Sequence, residues 1–121
     1  MPDDLELPAD LIDLQAAYEA AQTAVAAYAV AVAAERRELF PDPVRRGVRI
    51  WDEEQAALRN DWPQEQLEEL ERLRAASRAA REALWHHPAV EQALGNGGWK
   101  RLHIRLKQAV GVESWLIVTI D

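Results

Sequence analysis

The chain of 121 residues has no cysteine, one methionine, one phenylalanine, and only two lysines beside 12 arginines. Without cysteine there are no disulfides, no thiolate zinc ligands and no cysteine nucleophile. Long apolar runs are also missing, because the longest uncharged segment, Ala20–Ala34, is shorter than the ~20 apolar residues of a transmembrane helix. The acidic stretch Met1–Asp10 lacks the basic and then apolar pattern of a signal peptide. We therefore expect a soluble, cytoplasmic protein with no membrane attachment.

Motifs that carry catalysis are missing as well. The chain contains no nucleophile elbow, Walker loop, Rossmann glycine pattern or HExxH. Glu82 and His86 stand one helical turn apart, as two metal ligands could. However, the adjacent His86 and His87 point to different helix faces, and a catalytic zinc usually needs three protein ligands. The sequence therefore predicts no catalytic residue, no metal site and no cofactor, and favours a protein that is not an enzyme.

What the chain does contain is a long, alanine-rich segment near its amino terminus. Eleven of the nineteen residues from Ala16 to Ala34 are Ala, and neither Gly nor Pro occurs from Ala9 to Phe40. Larger apolar residues recur every three or four positions, a heptad spacing typical of a coiled coil or of a helix with one buried face. The main ones are Leu11, Leu14, Tyr18, Val25, Tyr28 and Val32. The pattern predicts one helix over residues 8–39.

The remaining segments predict a mostly α, single-domain fold over residues 1–121. A second long helix is expected at 63–86, antiparallel to the first, so that the two form a helical hairpin. A carboxy-terminal helical unit follows, with helices at 88–94 and 99–110. Two β-branched, apolar runs, 47–51 and 115–120, look like strands, and we expect them to pair as a two-stranded ribbon, within the chain or across a dimer. Alternatively, residues 114–120 form an apolar tail that inserts into the core.

The first helix is long for a chain of this size. At ~1.5 Å per residue it measures roughly 45 Å, whereas a compact chain of this length is about 35 Å across. Either the molecule is elongated or a second copy covers the overhang. We expect a homodimer, or a complex with a helical partner protein. The candidate interface residues are Leu11, Tyr18, Tyr28, Trp115, Leu116 and Ile117.

Charge is unevenly distributed along the chain. The formal net charge is −7, which argues against non-specific affinity for nucleic acid, yet residues 98–121 carry a positive balance. Their cations would lie opposite the apolar stripe of the helix at 99–110; they are Lys100, Arg101, Arg105 and Lys107. This patch has two interpretations. It contacts the acidic surface of helix one or of another subunit, which we favour, or it enters DNA as the second helix of a helix-turn-helix.

Three short segments carry a resemblance to other proteins. They are Leu7-Pro8-Ala9-Asp10-Leu11, Phe40-Pro41-Asp42-Pro43 and Leu84-Trp85-His86-His87-Pro88. Together they resemble a set of small uncharacterised helical proteins of high-GC bacteria, and the excess of arginine over lysine is typical of translation from GC-rich DNA. The resemblance implies a helical fold and carries no activity to this chain.

The sequence thus favours a non-enzymatic protein–protein interaction or regulatory protein that acts through a helical surface. The alternative is a DNA-binding accessory protein that uses the basic carboxy-terminal helix. A third hypothesis is a metal-dependent hydrolase, because Glu65, Glu68 and Glu71 resemble half of the ExxE arrangement of helical nucleotide pyrophosphohydrolases. The matching second half is missing from the sequence, so a solvated acidic helix turn explains these residues better.

Overall fold

A computed structural model describes the backbone of residues 7–120 and the side chains of residues 7–111. Helices dominate it, so the predicted mostly α fold is confirmed. In chain order the elements are α1 (Ala9–Leu39), β1 (Val44–Arg45), β2 (Val48–Arg49), α2 (Glu53–Asn60), α3 (Gln64–Trp85), α4 (Pro88–Asn96) and α5 (Trp99–Ile120). Within the described residues, no helix combines the length and the apolar character needed to cross a membrane.

The chain divides into two compact units. Unit 1 comprises Met1–Gln22 and Ala76–Asp121, and unit 2 comprises Thr23–Ala75. The long helices α1 and α3 therefore contribute to both units. The expectation that the whole chain is one domain stays a prediction.

The core of unit 1 brings together one large apolar side chain from each of four helices. Leu11 of α1, Leu84 of α3, Val90 of α4 and Leu106 of α5 form one buried cluster. Leu11 lies on the apolar stripe that the sequence predicts for helix one, and burial of such side chains contributes roughly 1.5–3 kcal/mol each. Smaller contributions come from side chains packed at the edge of the cluster, among them Ile12, Leu14, Tyr18, Trp99 and Leu102.

Helix α4 is bounded by two specific backbone caps. His87 precedes it, and its Nδ1 accepts a hydrogen bond from the backbone N–H of Ala89. Gly97 ends it in the left-handed region, with φ of 80°. The N–H of Gly98 donates to the carbonyl of Ala93 at 2.9 Å, as in a Schellman motif. The short link that follows leads directly into α5.

Unit 2 contains a β-hairpin between α1 and α2. Val44 pairs with Arg49, and Arg45 with Val48, in antiparallel register. The turn residues Arg46 and Gly47 have φ values of 52° and 78°. Two successive positive φ angles are the signature of a type I′ turn, whose twist matches that of the flanking strands.

A buried arginine supports the end of α2 in unit 2. Arg36 is 8% exposed, and its Nη2 donates to the carbonyls of Leu58 at 2.6 Å and of Asp61 at 2.8 Å. The last carbonyls of a helix have no partner within the helix, and a cation also complements the negative end of the helix dipole. Phe40 covers the guanidinium, with its ring centroid 4.9 Å from Cζ. Arg36 therefore joins α1 to α2.

Helices α1 and α3 contact each other within each unit. In unit 1, Leu11 near the start of α1 packs with Leu84 near the end of α3. In unit 2, Gln66 near the start of α3 donates from Nε2 to Glu35 near the end of α1, at 2.9 Å. In each unit, α1 and α3 are therefore neighbours.

The predicted ribbon of residues 47–51 with 115–120 is wrong. The strand at Val48–Arg49 pairs with the neighbouring Val44–Arg45, and residues 115–120 belong to α5. A two-residue turn closes the local hairpin at little entropic cost. Gly111 is a residue type at which helices often end, yet α5 continues through it to Ile120. No proline follows Trp99 to break the helix, so its predicted end at residue 110 is wrong.

Candidate functional site

The predicted basic face is present on α5 in unit 1. Leu106 and Val110 are buried on one side of this helix. On the other side, Lys100, Arg101 and Lys107 are exposed and Arg105 is half-buried. Because 3.6 residues make one turn, these positions fall on the face away from the core. The basic face, defined as these four cations, therefore lies where the sequence predicts it.

The four cations have no ion-pair partner among the residues that the structure describes. The interpretation that they contact acidic residues of helix one is therefore not realised within the described part of the chain. Ile104 lies between them and is 48% exposed. A shallow depression of about 380 Å³ is lined by Gly97, Lys100, Arg101, Ile104 and Arg105. The basic face thus surrounds an exposed apolar side chain.

The candidate interface residues occupy different environments. Leu11 is 0% exposed in the core of unit 1, so it is not available to a partner. Tyr18 is half-buried, packs against that core, and accepts a hydrogen bond at its hydroxyl from Nε2 of Gln22 at 3.0 Å. Tyr28 is half-buried in unit 2. The side chains of Trp115, Leu116 and Ile117 lie outside the described residues.

Each of the three histidines contacts another side chain of unit 1. His87 accepts from Ala89 through Nδ1, which places its ring proton on Nε2, from where it donates to Asp10 Oδ2 at 3.0 Å. His86 Nδ1 lies 3.7 Å from Glu91 Oε2. The ring of His103 packs against the ring of Trp99 with centroids 5.0 Å apart and the ring planes tilted by 33°. Within the described residues, no three carboxylate or imidazole side chains are grouped so that they could hold a metal ion.

An arginine-lined pocket in unit 2 was not predicted from the sequence. It has a volume of about 700 Å³ and is lined by Ala34, Arg37, Glu38, Pro41, Asp42, Arg49 and Arg59. The sequence signal was Asp42 between two prolines, a pattern that indicates only the end of helix one. The roles of Arg49 and Arg59 depend on contacts that are 7 and 19 residues away along the chain.

Asp42 organises the wall of this pocket. Its Oδ1 lies 3.2 Å from Nη2 of Arg59 and accepts a hydrogen bond from the backbone N–H of Asp52, also at 3.2 Å. Arg59 donates from Nη1 to the carbonyl of Phe40 at 2.6 Å. Asp52 in turn caps α2 by accepting from the N–H of Gln55 at 3.0 Å. The pocket wall is therefore continuous with the start of α2.

No protein family, no curated protein and no solved structure matches this chain. The two candidate sites among the described residues are the basic face of α5 in unit 1 and the arginine-lined pocket of unit 2.

Proposed function

We propose that the protein is a non-enzymatic interaction protein whose basic face on α5 binds an acidic segment of a partner protein. The observation that carries this proposal is the grouping of four cations, none ion-paired with a described residue, around the exposed Ile104. An apolar centre with a charged rim is the usual arrangement of a protein interface. Opposite charges across such an interface raise the association rate and select the partner.

The chemistry of the surface defines the segment that fits it. The depression around Ile104 accepts one apolar side chain, and the cations on its rim favour carboxylates on either side of that residue. A helix with Glu residues flanking a Leu presents this pattern, because positions three and four apart share one face. The proposed partner segment is therefore an acidic amphipathic helix.

A peptide titration tests the proposal. A labelled helical peptide of repeated Glu and Leu is titrated with the full-length protein at two salt concentrations, and fluorescence anisotropy reports binding. Binding should weaken as salt rises, because screening acts on exposed charges. The triple variant Lys100→Glu, Arg101→Glu and Arg105→Glu should abolish binding, whereas Arg45→Glu with Arg46→Glu should leave it unchanged. Equal binding of a peptide with Gln in place of Glu would overturn the proposal.

The second candidate function is DNA binding by the same face. It is favoured by the order of α4, a two-residue link and α5, with Lys100 and Arg101 exposed at the start of the second helix. Residues at that position contact base edges in helix-turn-helix proteins. The net charge of −7 counts against it. A gel shift on DNA fragments at two salt concentrations distinguishes the functions, since salt-sensitive retardation that is lost when all four cations become Ala would favour DNA over an acidic protein.

A further inference from the structure

We propose that the arginine-lined pocket of unit 2 binds a small organic carboxylate that carries an apolar or aromatic group. This site is separate from the basic face and does not depend on the proposed function. Its three guanidinium groups come from three different elements: Arg37 from the end of α1, Arg49 from β2 and Arg59 from α2. Arginine forks match carboxylates in bidentate geometry, so converging arginines are suited to this ligand class.

The charges that line the pocket leave room for one anion. Arg59 and Asp42 form an ion pair with Nη2 and Oδ1 3.2 Å apart, and thus offset one another. The other charged residues of the lining are Arg37, Arg49 and Glu38, so the lining has a net charge of +1. A single carboxylate brings this balance to zero. A phosphate monoester, with more than one negative charge at neutral pH, exceeds it.

Donors remain available for such a ligand. Arg37 makes no ion pair or hydrogen bond with a residue that the structure describes. Arg49 has one long contact, from Nη1 to the carbonyl of Asp42 at 3.4 Å. Each guanidinium carries five N–H donors, so most of those on Arg37 and Arg49 are open to a ligand.

One side of the pocket is held rigidly before any ligand enters. The side chain of Arg59 is only 15% exposed and is bound to both Asp42 and the carbonyl of Phe40. A wall that is already ordered reduces the conformational entropy lost on binding. Arg37, which is exposed at the end of α1, is the side chain that would lose conformational freedom when a ligand binds.

An exposed apolar flank adjoins the pocket through two of its arginines. The Cζ of Arg59 lies 5.8 Å from the ring centroid of Trp51, which is 69% exposed. Val44, 57% exposed, pairs with Arg49 across the hairpin, so the two side chains share one face of the ribbon. An apolar group joined to the carboxylate would lie against Trp51 and Val44. This flank is the reason to expect an organic acid rather than a bare anion.

NMR titration of the uniformly ¹⁵N-labelled full chain tests the proposal, with the probes acetate, indole-3-acetate and phenyl phosphate added in turn. Indole-3-acetate should shift the guanidinium Nε–H signals of Arg37 and Arg49 and the indole signal of Trp51, and should bind more tightly than acetate. Phenyl phosphate should bind more weakly than indole-3-acetate. Shifts confined to the basic face of α5, or spread equally over all arginines, would overturn the proposal.

Matched variants distinguish binding in this pocket from non-specific attraction of anions to the positive charges of the surface. Arg37→Gln with Arg49→Gln should weaken indole-3-acetate binding by about tenfold or more, because two charge-assisted hydrogen-bond partners are removed. Arg45→Gln with Arg46→Gln removes the same charge from neighbouring positions that do not line the pocket, and should leave binding unchanged. Trp51→Ala should reduce the preference for indole-3-acetate over acetate. Equal binding by both double variants would contradict the proposed site.

Discussion

Single residues show where this small protein depends on polar contacts. Arg36 is the clearest case, since its buried guanidinium supplies donors to two carbonyls at the end of α2. Replacing it with Leu keeps an apolar stem but leaves the carbonyls of Leu58 and Asp61 without these donors. We expect Arg36→Leu to lower the free energy of unfolding by about 2–3 kcal/mol, measured by urea denaturation.

The neighbouring Arg37 provides the control for this prediction. It is exposed, so Arg37→Leu should change the free energy of unfolding by less than about 0.5 kcal/mol. If Arg36→Leu were as mild as Arg37→Leu, the hydrogen bonds to α2 would not contribute to folding in the way described.

An exposed pair on α3 yields a prediction about acidity. Arg72 donates to Glu69 through Nε at 2.9 Å and through Nη2, and this hydrogen bonding lowers the pKa of Glu69 and raises the pKa of Arg72. A lowered carboxyl pKa stabilises the fold above the unfolded pKa, and the gain is lost as pH falls through the folded pKa. Arg72→Gln should raise the pKa of Glu69 in an NMR pH titration. An unchanged pKa would show that the pair does not persist in solution.

Secondary-structure elements show which features the sequence can predict. The bounds of α1 follow from the absence of Gly and Pro and from the prolines after Phe40. Asp52 is visible as a helix cap from its residue type alone. Residues 115–120 are different, because a short β-branched run is compatible with either a strand or a buried helix segment. Whether they form a strand or a helix depends on the preceding segment. Here α5 begins at Trp99 and continues through them to Ile120.

The candidate sites could be predicted only in part, because one follows from local sequence periodicity and the other from contacts between residues that are distant along the chain. The basic face of α5 follows from helical periodicity, which is local. The pocket of unit 2 depends on Asp42 meeting Arg59 and Asp52, and nothing in the spacing of these residues along the chain indicates that they meet. Likewise, the sequence indicates only that Arg36 belongs to a charged helix end, whereas in the structure it is buried against α2.

The turn of the β-hairpin contains a non-glycine residue in an unfavourable backbone conformation. Arg46 occupies the first position of the type I′ turn with φ of 52°, where Asn, Asp and Gly are preferred. Arg46→Asn should therefore raise the free energy of unfolding by roughly 0.5–1 kcal/mol in urea denaturation. Arg45→Asn, at a strand position, should not stabilise the protein. Destabilisation by Arg46→Asn would mean that the Arg46 side chain makes a contact that its exposure does not indicate.

At the scale of the whole molecule, association with a second copy remains a prediction. It follows from the length of α1, which has 31 residues and carries an alanine-rich face. Light scattering at micromolar concentration should give twice the chain mass of 13.7 kDa. Tyr28→Asp should shift the equilibrium toward the monomer if the half-buried Tyr28 lies in the interface, whereas a monomeric wild-type protein would end this prediction.

We propose that the basic face around Ile104 binds an acidic partner protein. Site-specific photo-crosslinking in the cells that make the protein, with p-benzoylphenylalanine in place of Ile104, would show whether it does. The crosslinked protein should be identified by mass spectrometry, should carry an acidic segment at the crosslink, and should be lost when Lys100, Arg101 and Arg105 become Glu. A crosslink that persists after this charge reversal, or one to DNA alone, would show that the basic face does not bind an acidic partner protein.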